Sequence, residues 1–139
     1  MDDQNVKRIH HMGFVVRNLD ETLRVWESLF GVKAEIKVNP ELHVRLGSMV
    51  IGGVKFVLNE STMPGSRWDR FLATNGEGLE HIALEVNDID AMCETAKTLD
   101  LHVRFAEHKP MYDTISNFIE KDGLGATTIE LMEPVKVTR

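Results

Sequence analysis

The sequence predicts an α+β protein in which one strand–helix–strand–strand–strand unit is used twice. Two internal matches predict it. A shift of 70 residues (81 minus 11) carries Ile9-His10-His11-Met12-Gly13-Phe14-Val15-Val16 onto Leu79-Glu80-His81-Ile82-Ala83-Leu84-Glu85-Val86 without a gap, and Asn18-Leu19-Asp20 onto Asp88-Ile89-Asp90. A shift of 73 (130 minus 57) aligns Lys55-Phe56-Val57-Leu58-Asn59-Glu60-Ser61 with Thr128-Ile129-Glu130-Leu131-Met132-Glu133-Pro134. Similarity that runs through a strand, a helix cap and a closing strand marks a repeated supersecondary unit. The repeat divides the chain into a module at 9–60, a connector at 61–78 and a module at 79–134.

Each element follows from local pattern. Residues 9–16 alternate as a strand does, with Met12, Phe14 and Val16 on one face and His11, Gly13 and Val15 on the other. The bulky face is expected to pack on a helix, and the glycine leaves room beside the histidine. Asn18 is a suitable N-cap, and Glu21 completes a capping-box pattern. Leu19, Leu23, Trp26 and Phe30 follow at helical spacing, and Gly31 ends the helix. Residues 34–38 read as a strand, Asn39-Pro40-Glu41 as a turn, and 43–51 and 54–59 as a hairpin joined at Gly52-Gly53. In the connector, Pro64-Gly65 marks a turn, and residues 67–73 place Trp68, Phe71 and Leu72 for a short helix.

The second module repeats the scheme. In its strand at 79–86, Ile82, Leu84 and Val86 form the bulky face, and His81, Ala83 and Glu85 the other. Asp88 caps a helix striped by Ile89, Met92, Ala96 and Leu99. Residues 101–105 read as a strand, 108–113 as a loop, and 114–120 and 126–132 as the closing strands, with tails at 1–8 and 135–139.

Composition narrows the function classes. The net charge of -6 argues against nucleic-acid binding, which calls for a basic face. No apolar run approaches the roughly 20 residues that span a bilayer, so no membrane association is expected. The opening Met1-Asp2-Asp3-Gln4-Asn5 is too acidic and polar for a signal peptide. Cys93 is the one cysteine, which excludes an internal disulfide, and it falls on a helical apolar stripe as a buried, inert thiol. A reducing cytoplasm fits these features.

By strand parity His11, His81 and Glu130 all lie on faces turned away from the helices. Units related by a pseudo-twofold axis would bring the two histidines together, and two imidazoles with a carboxylate suit a divalent metal such as Zn, Fe, Co, Ni or Mn. His10 falls on the opposite face. His43 and His102 fall in strands with no evident partner. His108 and Tyr112 fall in a loop, and Glu85 shares the His81 face beside Arg45 or Arg104 as partners. Glycine pairs here mark hairpins, since none precedes a helix as a phosphate-cradling loop does.

These motifs, with Gly76-Glu77-Gly78 before the second histidine strand, resemble the vicinal oxygen chelate (glyoxalase/bleomycin resistance/dioxygenase) superfamily, and within it the methylmalonyl-CoA epimerases. The resemblance runs from Ile9 to Pro134. It implies a glyoxalase-like cupped mixed sheet of two βαβββ modules in one domain, with one divalent metal ion at its floor. It implies metal ligands at His11, Val57, His81 and Glu130, and a proton-abstracting carboxylate at Glu41 within Asn39-Pro40-Glu41. It further implies a small-molecule substrate, an acyl-CoA in the epimerases, and a homodimer is plausible through an exposed sheet edge.

Two positions depart from the epimerase pattern. Val57 cannot bind a metal, which leaves His11, His81 and Glu130. Glu120-Lys121 stands where the epimerases carry His-Pro. The expected activity is proton transfer beside a carbonyl, with Glu41 and Glu130 at the chemistry. The alternatives are an Fe(II) extradiol-type dioxygenase using the same His-His-Glu triad, and a metal-free small-molecule binder of the same fold.

Overall fold

The computed structural model describes residues 4–135. Its elements follow in order: β1 (Val6–Val15), α1 (Leu19–Phe30), β2 (Glu35–Asn39), β3 (Val44–Ile51), β4 (Val54–Ser61), α2 (Arg67–Asn75), β5 (Gly78–Val86), α3 (Ile89–Thr98), β6 (Lys109–Met111), β7 (Thr114–Ile119) and β8 (Thr128–Pro134). This is the βαβββ order twice, with α2 between, so the α+β reading holds. The backbone gathers into two units, His11–Glu80 and residues 4–10 with 81–135. No described helix is long and apolar enough to cross a membrane.

In the unit His11–Glu80 the strands run β2-β3-β4-β1. β1 and β4 are parallel, while β2, β3 and β4 pair antiparallel. Helix α1 covers the face predicted for it, where Val16, Leu19, Leu23, Met49 and Leu58 are buried together. Phe14 meets Trp26 edge-on at 5.5 Å and stacks on Phe56 at 5.9 Å. Gly47 of β3 lets α1 approach, since a Cβ there would stand 2.8 Å from a Leu23 methyl carbon. The opposite face is covered by α2, where Val15, Val44 and Trp68 are buried.

In the other unit the order is β5-β8-β7-β6, again with its first and last long strands parallel. Helix α3 buries Ile89, Cys93 and Ala96 against Val86, Ile119 and Leu131. Burial pushes the Cys93 thiol pKa up, which keeps it protonated and inert, as its stripe position predicted. Part of the expected N-terminal tail is structured: Val6 opens β1, and Asn5 accepts the Asn87 N–H through its carbonyl at 2.9 Å. Residues 1–3 and 136–139 of the predicted tails lie outside the described residues.

One predicted strand is displaced. Residues 101–105 run beside β7, with Arg104 N–H donating to Phe118 O and Glu120 N–H to His102 O, but they form only an isolated bridge, Val103 to Ile119. The ladder stops because the Asn117 side chain takes both the Phe105 N–H and its carbonyl, at 3.1 and 3.0 Å. The strand that pairs with β7 is instead Lys109–Met111, inside the predicted loop. Its Pro110 is tolerated because β6 is an edge.

The two module helices start alike. Asn18 accepts the Glu21 N–H and Asp88 accepts the Ala91 N–H, each at 3.0 Å. A second carboxylate reaches each helix start from the closing strand: Glu60 accepts the Leu19 N–H at 3.0 Å, and Glu133 accepts the Ile89 N–H at 2.9 Å. A charge-assisted bond at a helix N-terminus is favoured by the helix dipole as well. Glu133→Ala should therefore lower unfolding free energy by about 1–3 kcal/mol, and Glu133→Gln by less than half as much. Urea unfolding of both variants measures the difference, and equal losses would show that the charge contributes nothing.

Candidate functional site

The site residues are set by strand register. In the parallel β5–β8 pair, Ala83 stands opposite Glu130. In the antiparallel β7–β8 pair, Phe118 stands opposite Glu130. Opposed residues share a sheet face, so Ala83, Glu130 and Phe118 point together, and His81 joins them by alternation. This is the face away from the α3 core. His81 Nε2 lies 3.2 Å from Glu130 Oε1, with each side chain 5% exposed. Phe118 meets the His81 ring edge-on at 5.9 Å. Arg104 stacks over Phe118 at 4.1 Å and donates from both Nε and Nη2 to Glu120. Glu120, the departure from His-Pro, thus serves as the anchor of a cation over the wall beside His81.

The His81–Glu130 spacing bears on metal binding. A charge-assisted N–H···O bond closes to about 2.7–2.9 Å. Two ligand atoms held about 2.1 Å from one ion, in tetrahedral or octahedral geometry, are about 3.0–3.4 Å apart. The observed 3.2 Å fits such a ligand pair, and it also lies within the range of a direct hydrogen bond between the two side chains. The donor types suit a divalent ion as well.

The other unit presents the repeat-equivalent arrangement. Gly13 stands opposite Val57 in β1–β4, as Ala83 stands opposite Glu130. Val57 is on the face away from α1, because its neighbours Phe56 and Leu58 are the ones that pack with Phe14, Trp26 and Leu23. His11 is on the same face as Gly13 and is half-buried. The parity argument therefore holds in both units, and Val57 brings no donor atom to its position.

Glu41 sits in the turn between β2 and β3 and is exposed. The turn itself is held firmly. Asn39 Oδ1 accepts the Leu42 N–H at 3.1 Å, the Trp68 indole donates to Leu42 O at 3.3 Å, and Thr62 N–H donates to His43 O at 2.9 Å. His43 lies in this turn rather than in a strand, with φ of 58°. Its left-handed backbone ends the turn before β3 begins.

The remaining candidates fall into structural roles. His108 bridges Asp90 through Nε2 at 2.7 Å and the Asn117 amide through Nδ1 at 3.0 Å, tying the β6 edge to α3. Tyr112 is 76% exposed in the β6–β7 turn. Glu85 pairs with Arg8 at 3.3 Å rather than with Arg45 or Arg104. Arg45 pairs with Asp20 at 2.8 Å, which raises its pKa. Sequence pattern did not single out Phe118, and it named Arg104 only as a partner for Glu85. The 70-residue shift maps Phe118 onto Ser48, a pair with no chemical likeness to draw attention.

Residues 10–117 match the Glyoxalase/Bleomycin resistance protein/Dioxygenase superfamily. The chain belongs to that superfamily. Among solved structures, methylmalonyl-CoA epimerase from Mycobacterium tuberculosis superposes with a TM-score of 0.82 at 22% identity, covering 98% of this chain and 93% of that one. Streptomyces coelicolor methylmalonyl-CoA epimerase in complex with 2-nitronate-propionyl-CoA superposes with a TM-score of 0.80 at 26% identity, covering 94% and 99%. A methylmalonyl-CoA epimerase in complex with methylmalonyl-CoA and NH4+ also superposes with a TM-score of 0.80 at 26% identity, covering 95% and 97%. No curated protein matches the sequence. As a superfamily member, the chain has the glyoxalase-like α+β fold expected from its repeat.

Proposed function

We propose that this chain is a metal-dependent epimerase that moves a proton beside a carbonyl, with a 2-methyl-branched malonyl thioester as its substrate. The observation that carries the reading is the buried His81–Glu130 pair, spaced as two ligands of one ion. His11, its repeat equivalent, is the third ligand in this reading. The thioester rests on the likeness to epimerases solved with acyl-CoA compounds.

The chemistry divides among few residues. Removing the α-proton leaves enolate charge on the substrate oxygens, and a divalent ion such as Co, Zn, Mn, Ni or Fe would supply Lewis-acid stabilisation there. His11, His81 and Glu130 would hold it. Phe118 packs against the His81 ring and limits water at that side. Glu41 takes the α-proton, brought by its anchored turn, and a water molecule would return a proton to the opposite face of the enolate. Its carboxylate is exposed in this structure, so the acyl group must bring the desolvation that strengthens it as a base.

A second reading has a specific observation in its favour. With Val57 apolar, the donor set is two histidines and one glutamate, the facial triad of non-haem Fe(II) oxygenases. Oxygen uptake by the iron-loaded protein with a catechol would favour it over the epimerase.

Three measurements test the proposal. Metal analysis should find one divalent ion per chain, and His81→Ala should weaken its binding by at least about 100-fold, more than the loss of a residue that merely hydrogen-bonds to a ligand. Full occupancy in His81→Ala would remove His81 from the ligand set. Val57→Glu should return a fourth donor opposite Gly13 and tighten metal binding about tenfold or more. Unchanged affinity would separate that position from the metal. Glu41→Gln keeps shape and loses basicity, so it should retain metal while α-proton exchange of methylmalonyl-CoA in deuterated water slows roughly 10²–10⁴-fold. Equal exchange in mutant and wild type would exclude Glu41 as the base, and absent exchange in metal-loaded wild type would exclude the epimerase.

A further inference from the structure

Ser116 carries a buried hydroxyl that the fold does not explain. The residue is fully buried at 0% exposure, and its Oγ has no hydrogen-bond partner among the described residues. Leaving a hydroxyl buried without a bond is unfavourable, so such groups are rare unless they serve a purpose. Register fixes the face it points to. Ser116 stands opposite Met132 in β7–β8, and Phe118 stands opposite Glu130 in the same ladder. Ser116 therefore shares the face of Phe118 and Glu130, and it is the diagonal neighbour of Glu130, a spacing of about 7–8 Å in an antiparallel pair.

The repeat shows what this position does when it is only structural. The 70-residue shift maps Ser116 onto Leu46, and register agrees, since Leu46 stands opposite Asn59 as Ser116 stands opposite Met132. Leu46 packs in the cluster of Val15, Val44 and Trp68 beneath α2. In the second unit the helix α3 lies on the other face, with Ile119 and Leu131. A hydroxyl thus replaces a packed leucine where no helix of the unit provides an apolar partner. The residues opposite Ser116 on either side are Lys109 and Met132. Both are flexible, unbranched side chains, and Lys109 is an exposed edge residue whose ammonium lies 5.3 Å from the Phe105 ring centroid. A ligand would reach Oγ by displacing side chains such as these.

The geometry points to Ser116 as a substrate-binding residue whose hydroxyl donates a hydrogen bond to a carboxylate or carbonyl oxygen of an acyl ligand lying against the His81–Glu130 face. A short diacid or its thioester has oxygens at both ends and meets two such points at once. This inference rests on the epimerase reading for its ligand class. It assigns Ser116 to binding and orientation rather than to proton transfer.

The test compares wild type, Ser116→Ala and Ser116→Cys, all metal-loaded. The cysteine keeps the volume and loses the strong donor. Thermal unfolding without ligand, and calorimetric binding of methylmalonyl-CoA and of malonate, are measured on each. The expected result is a melting temperature equal to or above wild type in both variants, with methylmalonyl-CoA and malonate binding weakened about tenfold, as loss of one hydrogen bond allows. In turnover the loss should fall on KM with kcat held. A melting temperature several degrees lower in Ser116→Ala would show that the hydroxyl is satisfied within the fold, and would overturn the assignment. Unchanged affinity in both variants would overturn it equally. Wild type that binds neither compound would overturn the epimerase reading, and this inference with it.

Discussion

The parallel pairing of each module's first strand with its last is the constraint on which the rest of the structure depends. It sets Gly13 opposite Val57 and Ala83 opposite Glu130. A small residue at the first place leaves space for the side chain at the second. The histidine two residues earlier then shares that face by the period of the strand. A one-residue slip in either ladder would turn His81 or Glu130 into the α3 core. The bulky alternation at Ile82, Leu84 and Val86 opposes such a slip, because it would expose those side chains in exchange. Packing of the helix face therefore fixes the chemistry of the other face.

The two modules keep the framework and differ on that second face. Both start their helices with an Asn or Asp cap and a glutamate from the closing strand, Glu60 or Glu133. Helix α2 then covers the second face in one unit with Trp68, Phe71 and Leu72. The position that carries Leu46 beneath that helix carries Ser116 in the other unit. Apolar residues are what a helix-covered face requires, since a buried carboxylate without partners would cost several kcal/mol. The difference between repeats follows from which face is used for packing.

Much of this was legible in the sequence, because period and repeat act together. The strand at His81, the Asp88 cap, the Ile89 and Ala96 positions of the α3 stripe and the shared face of His81 and Glu130 all follow from alternation and the internal shift, whereas Leu99, expected in that stripe, caps the helix and is exposed. Register between β7 and β8 does not, so the place of Phe118 beside Glu130 required the fold. The edge strand Lys109–Met111 was hidden by Pro110, which argues against a strand except at an edge. Residues 101–105 had the alternation of a strand, yet the Asn117 amide replaced the ladder there. Glu41 was marked by a resemblance of its turn, and no periodic signal places a turn residue relative to a distant strand.

The buried polar residues separate architecture from chemistry. Among the described residues they are Asn59, Ser66, His81, Thr114, Ser116, Asn117 and Glu130. Four of these have local backbone duties. Asn59 donates to Phe14 O, Ser66 accepts the Asp69 N–H, Thr114 donates to Met111 O, and Asn117 serves both Phe105 and Phe118. Each of those bonds offsets the desolvation of its own side chain. His81 and Glu130 contact each other at 3.2 Å, Ser116 Oγ has no hydrogen-bond partner among the described residues, and all three lie on one face of β5, β8 and β7. Packing energy alone would favour apolar residues at Glu130 and Ser116, as the first module has at Val57 and Leu46. Under the proposed epimerase reading, a bound ion and ligand would offset the cost of burying these polar groups on one sheet face.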